Sequence, residues 1–287
     1  MTSHEITSMT LASLNTEFNH IVEDNRSGSV KVLNSLISTL QKAFQSQNEI
    51  GQLTSFCQER LLAITKAHQH LVVLISFIEE FSKVIEDVKD KGKVVDWLQN
   101  YEERWSNIGS DITKRLTSKV SLDAKTILVH SNSQTVMEVL KQSKATGSIF
   151  RVIQTESRPA LEGRSQANEL SELGIKVKYV VDLMISVVMP QVDLVLLGAD
   201  QYDDKRFLNK IGSYSIALLA QHFDKPVFVL VDSRKQTSNL SNVSKSPPHP
   251  PREVWEGAPK NVTIPNIYFE STPRSMISGI ITESGLI

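Results

Sequence analysis

At 287 residues, 40% of them apolar and 22% charged, the chain is long enough to bury a sizeable core in one large domain or two modest ones. Its 31 basic and 32 acidic residues nearly cancel, so the basic excess or stripe of a nucleic-acid binder is missing. Cys57 is the only cysteine, which excludes an intramolecular disulfide and a cysteine-built metal site and fits a reducing, cytoplasmic compartment.

The opening MTSHEITSMTLASLN has no basic start followed by an apolar core, so no secretory signal is expected. No apolar run is long enough to span a membrane, and a soluble protein is expected. From there to about residue 118 the apolar residues recur at helical spacing: Leu11, Leu14, Phe18 and Ile21; then Val30, Leu33, Ile37, Leu40 and Phe44; then Phe56, Leu61 and Ile64; then Leu98, Tyr101, Trp105, Ile108 and Ile112. No proline precedes Pro159, so long helices run unbroken. Asp24–Ser29 is a polar break where an Asp or Asn can cap the second helix. Leu71–Ile78 is apolar on every side and reads as a fully buried central helix or a subunit contact. Glu86–Lys93 reads as a solvated helix end and turn.

After residue 120 the period changes. Thr126–His130, Ile149–Gln154, Lys176–Val181, Asp193–Gly198 and Val227–Val231 are short apolar runs, the first four each followed by a stretch able to form a helix. That alternation predicts a parallel sheet with crossover helices. The expected architecture is an all-helical domain over 1–118 followed by a doubly wound, Rossmann-like, mostly parallel α/β domain over 119–287. Residues 234–262, including the proline-rich 244–251, read as a long loop. Ile267–Phe269 and Ile277–Thr282 read as one or two returning strands.

In such sheets ligands bind beyond the carboxyl ends of the strands, which directs attention to the residues just past each strand. Asp200, closing Gly198-Ala199-Asp200, is either a general acid or base with a pKa raised by burial, or a cap for the next turn. Asn209 and Lys210, ahead of Gly212 and an amphipathic helix, suit a phosphate at a helix start, or simply cap it with a surface lysine. Arg158 and Arg164 flank a proline turn. Arg158 can hold a phosphate bidentately, while Arg164 does likewise or pairs with Glu162. His130-Ser131-Asn132 lacks the glycines of a nucleophile elbow, so a hydrolase triad is not expected.

These pieces occur together and in order. ILVHSN (127–132), TESRPALEGR (155–164), VVDLMISVVMPQVDLVLLGAD (180–200), NKIGS (209–213) and PVFVLVDS (226–233) resemble the C-terminal domain shared by the alpha, beta and delta subunits of translation initiation factor 2B. The same domain occurs in 5-methylthioribose-1-phosphate and ribose-1,5-bisphosphate isomerases. The ending from Pro265 to Ile287 and the turn from Asp24 to Ser29 are similar too. The likeness is dense over 126–232, returns over 266–287 and is faint in the N-terminal helices.

The resemblance implies a sugar-phosphate site in the α/β domain. The family's isomerases use a cysteine after the first strand and the Asp of the GAD motif to turn a ribose 1-phosphate aldose into its ketose. Here Ser131 stands at the cysteine position, and an unassisted hydroxyl does not exchange protons near neutrality as a thiol does. Glu162 replaces a usual Gln, as in delta-type subunits, and the segment from Asp200 to Asn209 lacks the usual Asn-Gly turn. Asp200 with Asn209 and Lys210 is closer to the isomerases and alpha-type subunits.

The resemblance leaves two readings. One is a binding protein for a phosphorylated pentose or nucleoside monophosphate with a regulatory or assembly role. Asp200 would then bind sugar hydroxyls, and Arg158, Lys210 and the amides near Gly28 the phosphate, with Glu162, Arg164 and Asn209 as further substrate-binding residues. The other is an aldose–ketose isomerase with Asp200 and Ser131 as catalytic residues. Neither needs a metal or an organic cofactor. The resemblance further implies a homodimer or higher oligomer formed through the α/β domain, with no direct contact to nucleic acid or membrane. Guanine-nucleotide exchange, in that family the work of a multi-subunit assembly, is not expected of this chain alone.

Overall fold

With no proline to interrupt them, the apolar repeats of the first hundred residues fold as helices. The computed structural model describes residues 10–24, 27–69, 71–86, 88–238, 240 and 249–287, which fall into two units, one ending at Ser106 and one beginning at Asn107. In the first unit the helices are α1 (Leu11–Glu23), α2 (Ser29–Gln45), α3 (Ile50–Ala67), α4 (Val72–Ile85) and α5 (Lys91–Trp105). Helix α2 touches all four others. Its buried residues Val32, Leu33, Leu36, Ile37, Leu40 and Phe44 recur at three- and four-residue spacing, giving it the broad apolar stripe this role requires.

The core of this unit is closed by aromatic rings. Phe77 stacks on Phe81 at 5.7 Å and meets Tyr101 edge-on at 4.9 Å, while Trp97 lies 5.9 Å from Phe77. Helix α4 buries Val73, Leu74, Phe77, Ile78, Phe81 and Ile85, but Val72 and Ile75 are only half-buried. No residue of Leu71–Ile78 is exposed, and the solvent-facing residues of α4, Glu79, Glu80 and Lys83, all follow that stretch. Asp90 caps α5 by accepting from the Gly92 amide at 2.8 Å, consistent with a polar turn there; Asp87 lies outside the described residues.

The apolar series Leu98–Ile112 is not one helix. It breaks at Ser106 and Asn107, and α6 (Ile108–Thr117) belongs to the second unit, where Ile112 and Leu116 pack into the α/β core. The boundary thus lies about one helix earlier than residue 118. Helical periodicity alone does not say against which core a helix is packed.

The second unit is built on a seven-stranded sheet in the order β10-β9-β7-β4-β1-β2-β3. The strands are β1 (Thr126–Val129), β2 (Arg151–Thr155), β3 (Lys176–Val180), β4 (Leu194–Leu197), β7 (Val227–Leu230), β9 (Gly279–Thr282) and β10 (Gly285–Leu286). All pair in parallel except β10. Successive residues point to opposite faces. Ile127 and Val129 pack with α6 and α7 (Gln134–Ala145) and with Leu170 of α8 (Gly163–Glu172). Leu128 packs toward α9 (Ile185–Val188) and α10 (Ser213–His222). Helices on both faces make the sheet doubly wound, as the alternation predicted.

One part of the chain departs from that alternation. Between β4 and α10 it forms a hairpin, β5 (Gln201–Tyr202) and β6 (Arg206–Lys210), which pairs with β8 (Phe269–Pro273) in a separate three-stranded antiparallel sheet. Asn209 and Lys210 therefore end a strand. The turn needs no Asn-Gly pair because Asp203 Oδ1 accepts from the amides of Lys205 and Arg206, each at 2.8 Å. Of the proline-rich stretch, 244–248 lie outside the described residues, as do 241–243; 249–268 are irregular apart from a short turn at Pro251–Glu253.

Phe77 touches Phe81, Trp97 and Tyr101, so Phe77→Ala should open a cavity that the helices cannot close. The expected cost is about 3–5 kcal/mol, read from urea denaturation followed by tryptophan emission.

Candidate functional site

The strand order reverses between β1 and β4: from β1 the chain moves outward through β2 and β3, then returns to place β4 on the other side. The two helices that come after these strands leave by opposite faces, which opens a crevice at the carboxyl ends of β1 and β4. Ser131 emerges at the end of β1 and Asp200 at the end of β4. Ser131 has a φ of +70° and Ser157, beyond β2, a φ of +63°, a left-handed conformation that costs energy for a residue with a side chain. Both are held by bonds. The Ser131 amide donates to Ser157 Oγ at 2.8 Å, and the Ser157 and Arg158 amides donate to the two Asp182 carboxylate oxygens at 2.8 and 2.7 Å.

Glu162 joins the two halves of the crevice. Its Oε1 accepts from the Ser131 hydroxyl at 2.9 Å and its Oε2 lies 2.9 Å from Lys210 Nζ. The Lys210 side chain is only 1% exposed, against 21% for Glu162, and the Tyr268 ring covers its ammonium at 4.1 Å. Glu162 reaches this point because it is the last residue before α8, pressed against the end of β2. Gly163 allows that approach, since a Cβ there would run into the Thr155 carbonyl.

Asp200 sits within the electrostatic reach of the same groups. Burial pushes its carboxyl above the ordinary range; Lys235 and Lys210 oppose this and Glu162 adds to it. Lys235, itself buried, donates to the Ala199 carbonyl at 2.7 Å. Burial holds its pKa down, against the pull of Asp200 and Asp232.

The remaining predicted residues are placed differently. Asn209 is buried and donates to Ser213 Oγ at 2.8 Å, tying the end of β6 to the start of α10. The first amides of α10 are already used: Gly212 N and Tyr214 N donate to Glu270 Oε1 at 2.7 and 2.9 Å. The anion at this helix start is the protein's own. Arg158 is exposed and sends its guanidinium to the Val254 carbonyl at 2.8 Å. Arg164 is exposed on α8, and Glu162 pairs with Lys210 instead of with it. Gly28 belongs to the first unit. It precedes α2 as an exposed N-cap with no side-chain bond, and Asp24 accepts from the Ser27 amide at 2.9 Å instead of capping α2; Asn25 and Arg26 lie outside the described residues. Sequence reasoning misses Glu270, Lys235 and Tyr268. They come from β8, from the turn after β7 and from the residue entering β8, and nothing local marks them.

His130 pins the floor of the crevice. Its Nε2 lies 2.8 Å from the Ile211 carbonyl, which can only accept, so Nε2 carries the proton and Nδ1 accepts from the Thr155 hydroxyl at 2.6 Å. Both nitrogens of His130 are engaged there rather than with Ser131, whose hydroxyl donates to Glu162. Gly212, at φ +108°, leaves room for the ring, because a Cβ would lie 3.0 Å from His130 Nε2.

A model of the initiation factor 2 subunit (IF-2B) family matches residues 25–287. The chain belongs to that family. It is 29% identical over 276 residues to a ribose 1,5-bisphosphate isomerase of Archaeoglobus fulgidus, a match covering 91% of this chain and 85% of that one. It is 33% identical over 186 residues to translation initiation factor eIF2B subunit alpha of Dictyostelium discoideum, covering 60% of this chain and 58% of the relative. Among solved structures, 5-methylthioribose 1-phosphate isomerase from Pyrococcus horikoshii has the same fold, with a TM-score of 0.83 at 22% identity, covering 96% of this chain and 84% of that one. The IF-2B family therefore holds both initiation-factor subunits and sugar-phosphate isomerases among this chain's relatives. Among the described residues no helix is long and apolar enough to cross a membrane, and no group of three or more His, Cys, Asp or Glu side chains is placed to hold a metal ion.

Burial lowers the His130 pKa, which the Ile211 carbonyl, Asp182 and Glu162 partly offset and Lys210 reinforces. A depressed folded-state value means that the stabilising contribution is fully present above the unfolded value of about 6.5 and is lost as pH falls below it. Urea-derived stability should therefore drop by up to about 1.4 kcal/mol per pH unit on this account, and His130→Gln should flatten that slope while lowering stability at neutral pH.

Proposed function

We propose that this IF-2B protein binds a phosphorylated pentose or nucleoside monophosphate at the carboxyl ends of β1 and β4 and serves a regulatory or assembly role rather than turning the ligand over. The observation that carries this reading is the Ser131–Glu162–Lys210 chain of contacts. Where the family's isomerases have a thiol, this chain has a hydroxyl that donates to a carboxylate. Cys57 cannot stand in for that thiol: it lies in the helical core, where burial pushes its pKa up to about 12. In the proposed complex Asp200 receives sugar hydroxyls and Lys210 faces the phosphate, with Arg158 at the rim.

A second reading, an aldose–ketose isomerase on a ribose 1-phosphate, is favoured by one observation. Asp200 is a carboxyl at a strand end whose pKa burial raises, the direction a carboxyl acid–base group requires. It also draws support from the isomerase relative that aligns over most of the chain.

Thermal melts with ribose 1-phosphate, ribose 1,5-bisphosphate and adenosine monophosphate, followed by a ketose assay, separate the two. Binding without turnover is expected: a shift that grows with ligand concentration and no product. Turnover that Asp200→Asn lowers by at least about a hundredfold would establish the isomerase instead.

We also propose that the protein pairs with a second copy through the α/β unit. Leu183 and Val187 are 88% and 62% exposed on the segment leading into and forming α9, which packs on α10, and α10 exposes Tyr214 and Leu218. Exposed apolar side chains on two packed helices of this kind mark an interface. Leu183→Asp should convert the dimer to monomer in sedimentation analysis and change intrinsic monomer stability by no more than about 0.5 kcal/mol.

A further inference from the structure

Lys210 is almost without solvent contact, yet the group that neutralises it is not buried to the same degree. Glu162 keeps about a fifth of its side-chain surface exposed. It approaches from the N-terminal boundary of α8 but makes no capping bond to that helix. Its two oxygens are spent on Lys210 and Ser131. Released from both, the side chain can turn to solvent and be hydrated there. Lys210 is more confined: its backbone is paired to Phe269 of β8, its side chain is 1% exposed and its ammonium is roofed by the Tyr268 ring. The pair is therefore asymmetric, with a fixed cation and a removable anion.

We propose that Glu162 is the residue that sets which ligands the crevice accepts. It occupies the anion seat on Lys210, and a ligand phosphate enters only by displacing it. This inference rests on the phosphate-binding reading given above and adds a selection rule to it. A phosphate monoester dianion outcompetes the single charge of Glu162 for Lys210 and also accepts from the Ser131 hydroxyl. A ligand bearing a carboxylate or only neutral hydroxyls does not, and is refused. The two other anion seats nearby are held more firmly. Glu270 accepts two backbone amides at the start of α10, and Asp182 accepts two beyond β2; neither is an exchangeable side-chain pair. The exchange involves no covalent step.

Calorimetric titration with inorganic phosphate tests the proposal on wild type, Glu162→Gln and the double variant Glu162→Gln/Lys210→Met. Glu162→Gln is expected to bind phosphate at least tenfold more tightly than wild type, and the double variant to lose that gain. Wild type should bind ribose 1-phosphate in the same buffer and show no heat with ribose or acetate.

Because Glu162→Gln leaves a buried ammonium unpaired, it should also melt lower in chloride than in phosphate at equal ionic strength, with wild type nearly indifferent. If that variant folds only in phosphate, this too supports the seat; if phosphate does not rescue it, the proposal is overturned. If wild type binds ribose 1-phosphate but Glu162→Gln binds phosphate no more tightly, Glu162 is not the gate and the binding reading stands. If no variant binds any phosphorylated probe, both fall together.

Discussion

A lysine whose side chain is 1% exposed must have its charge neutralised by the protein around it. Lys210 has this need because its backbone is paired to Phe269 of β8 and the Tyr268 ring lies over its ammonium. Much of the crevice is arranged to meet it. Glu162 must reach inward, so α8 must begin against the end of β2, so residue 163 must lack a side chain. Tyr268 must lie over the charge, which fixes where the chain enters β8. Ser131 then finds its hydroxyl facing an acceptor already held in place.

The same logic recurs at each donor-rich turn of the second unit. Amides at the start of α10 are matched by Glu270, the amides of Ser157 and Arg158 by Asp182, and those of the β5–β6 turn by Asp203. Each carboxylate accepts more than one backbone bond. For Asp203, burial alone would raise the carboxyl, yet the amides of Leu240, Lys205 and Arg206, helped by the Arg206 charge, bring it below the ordinary range. At these turns backbone donors are already matched, whereas Glu162 and Lys210 are joined side chain to side chain.

How far this is legible in the sequence depends on the range of the contact. The helices and the parallel strands rest on local periodicity, and Leu11–Ile21, Thr126–Val129 and Asp193–Gly198 can be read because burial repeats within a few residues. The hairpin over 201–210 cannot, because its pairing partner β8 is some sixty residues away and the Asp203 side chain, not a turn dipeptide, closes it. The break at Ser106 is invisible for a similar reason: Leu98 and Ile112 share one helical phase but serve different cores. At the site, Ser131, Glu162, Asp200 and Lys210 are marked by their place after strands or by the family likeness. The partnership of Glu162 and Lys210 is not legible, since 48 residues separate them and either could have faced solvent.

Asp200 and Lys235 show why such a site is kept. Burial works against the charge on each, raising the acid and lowering the base, so each carries an unfavourable term that the other only partly offsets. Two apolar residues of similar size would make this corner of the sheet more stable. The two groups lie at the carboxyl end of β4, the place where the reversal of strand order opens the sheet and where ligands of such folds bind. Under the proposed function Asp200 and the Lys210–Glu162 pair would take complementary parts, one facing the sugar and one its phosphate.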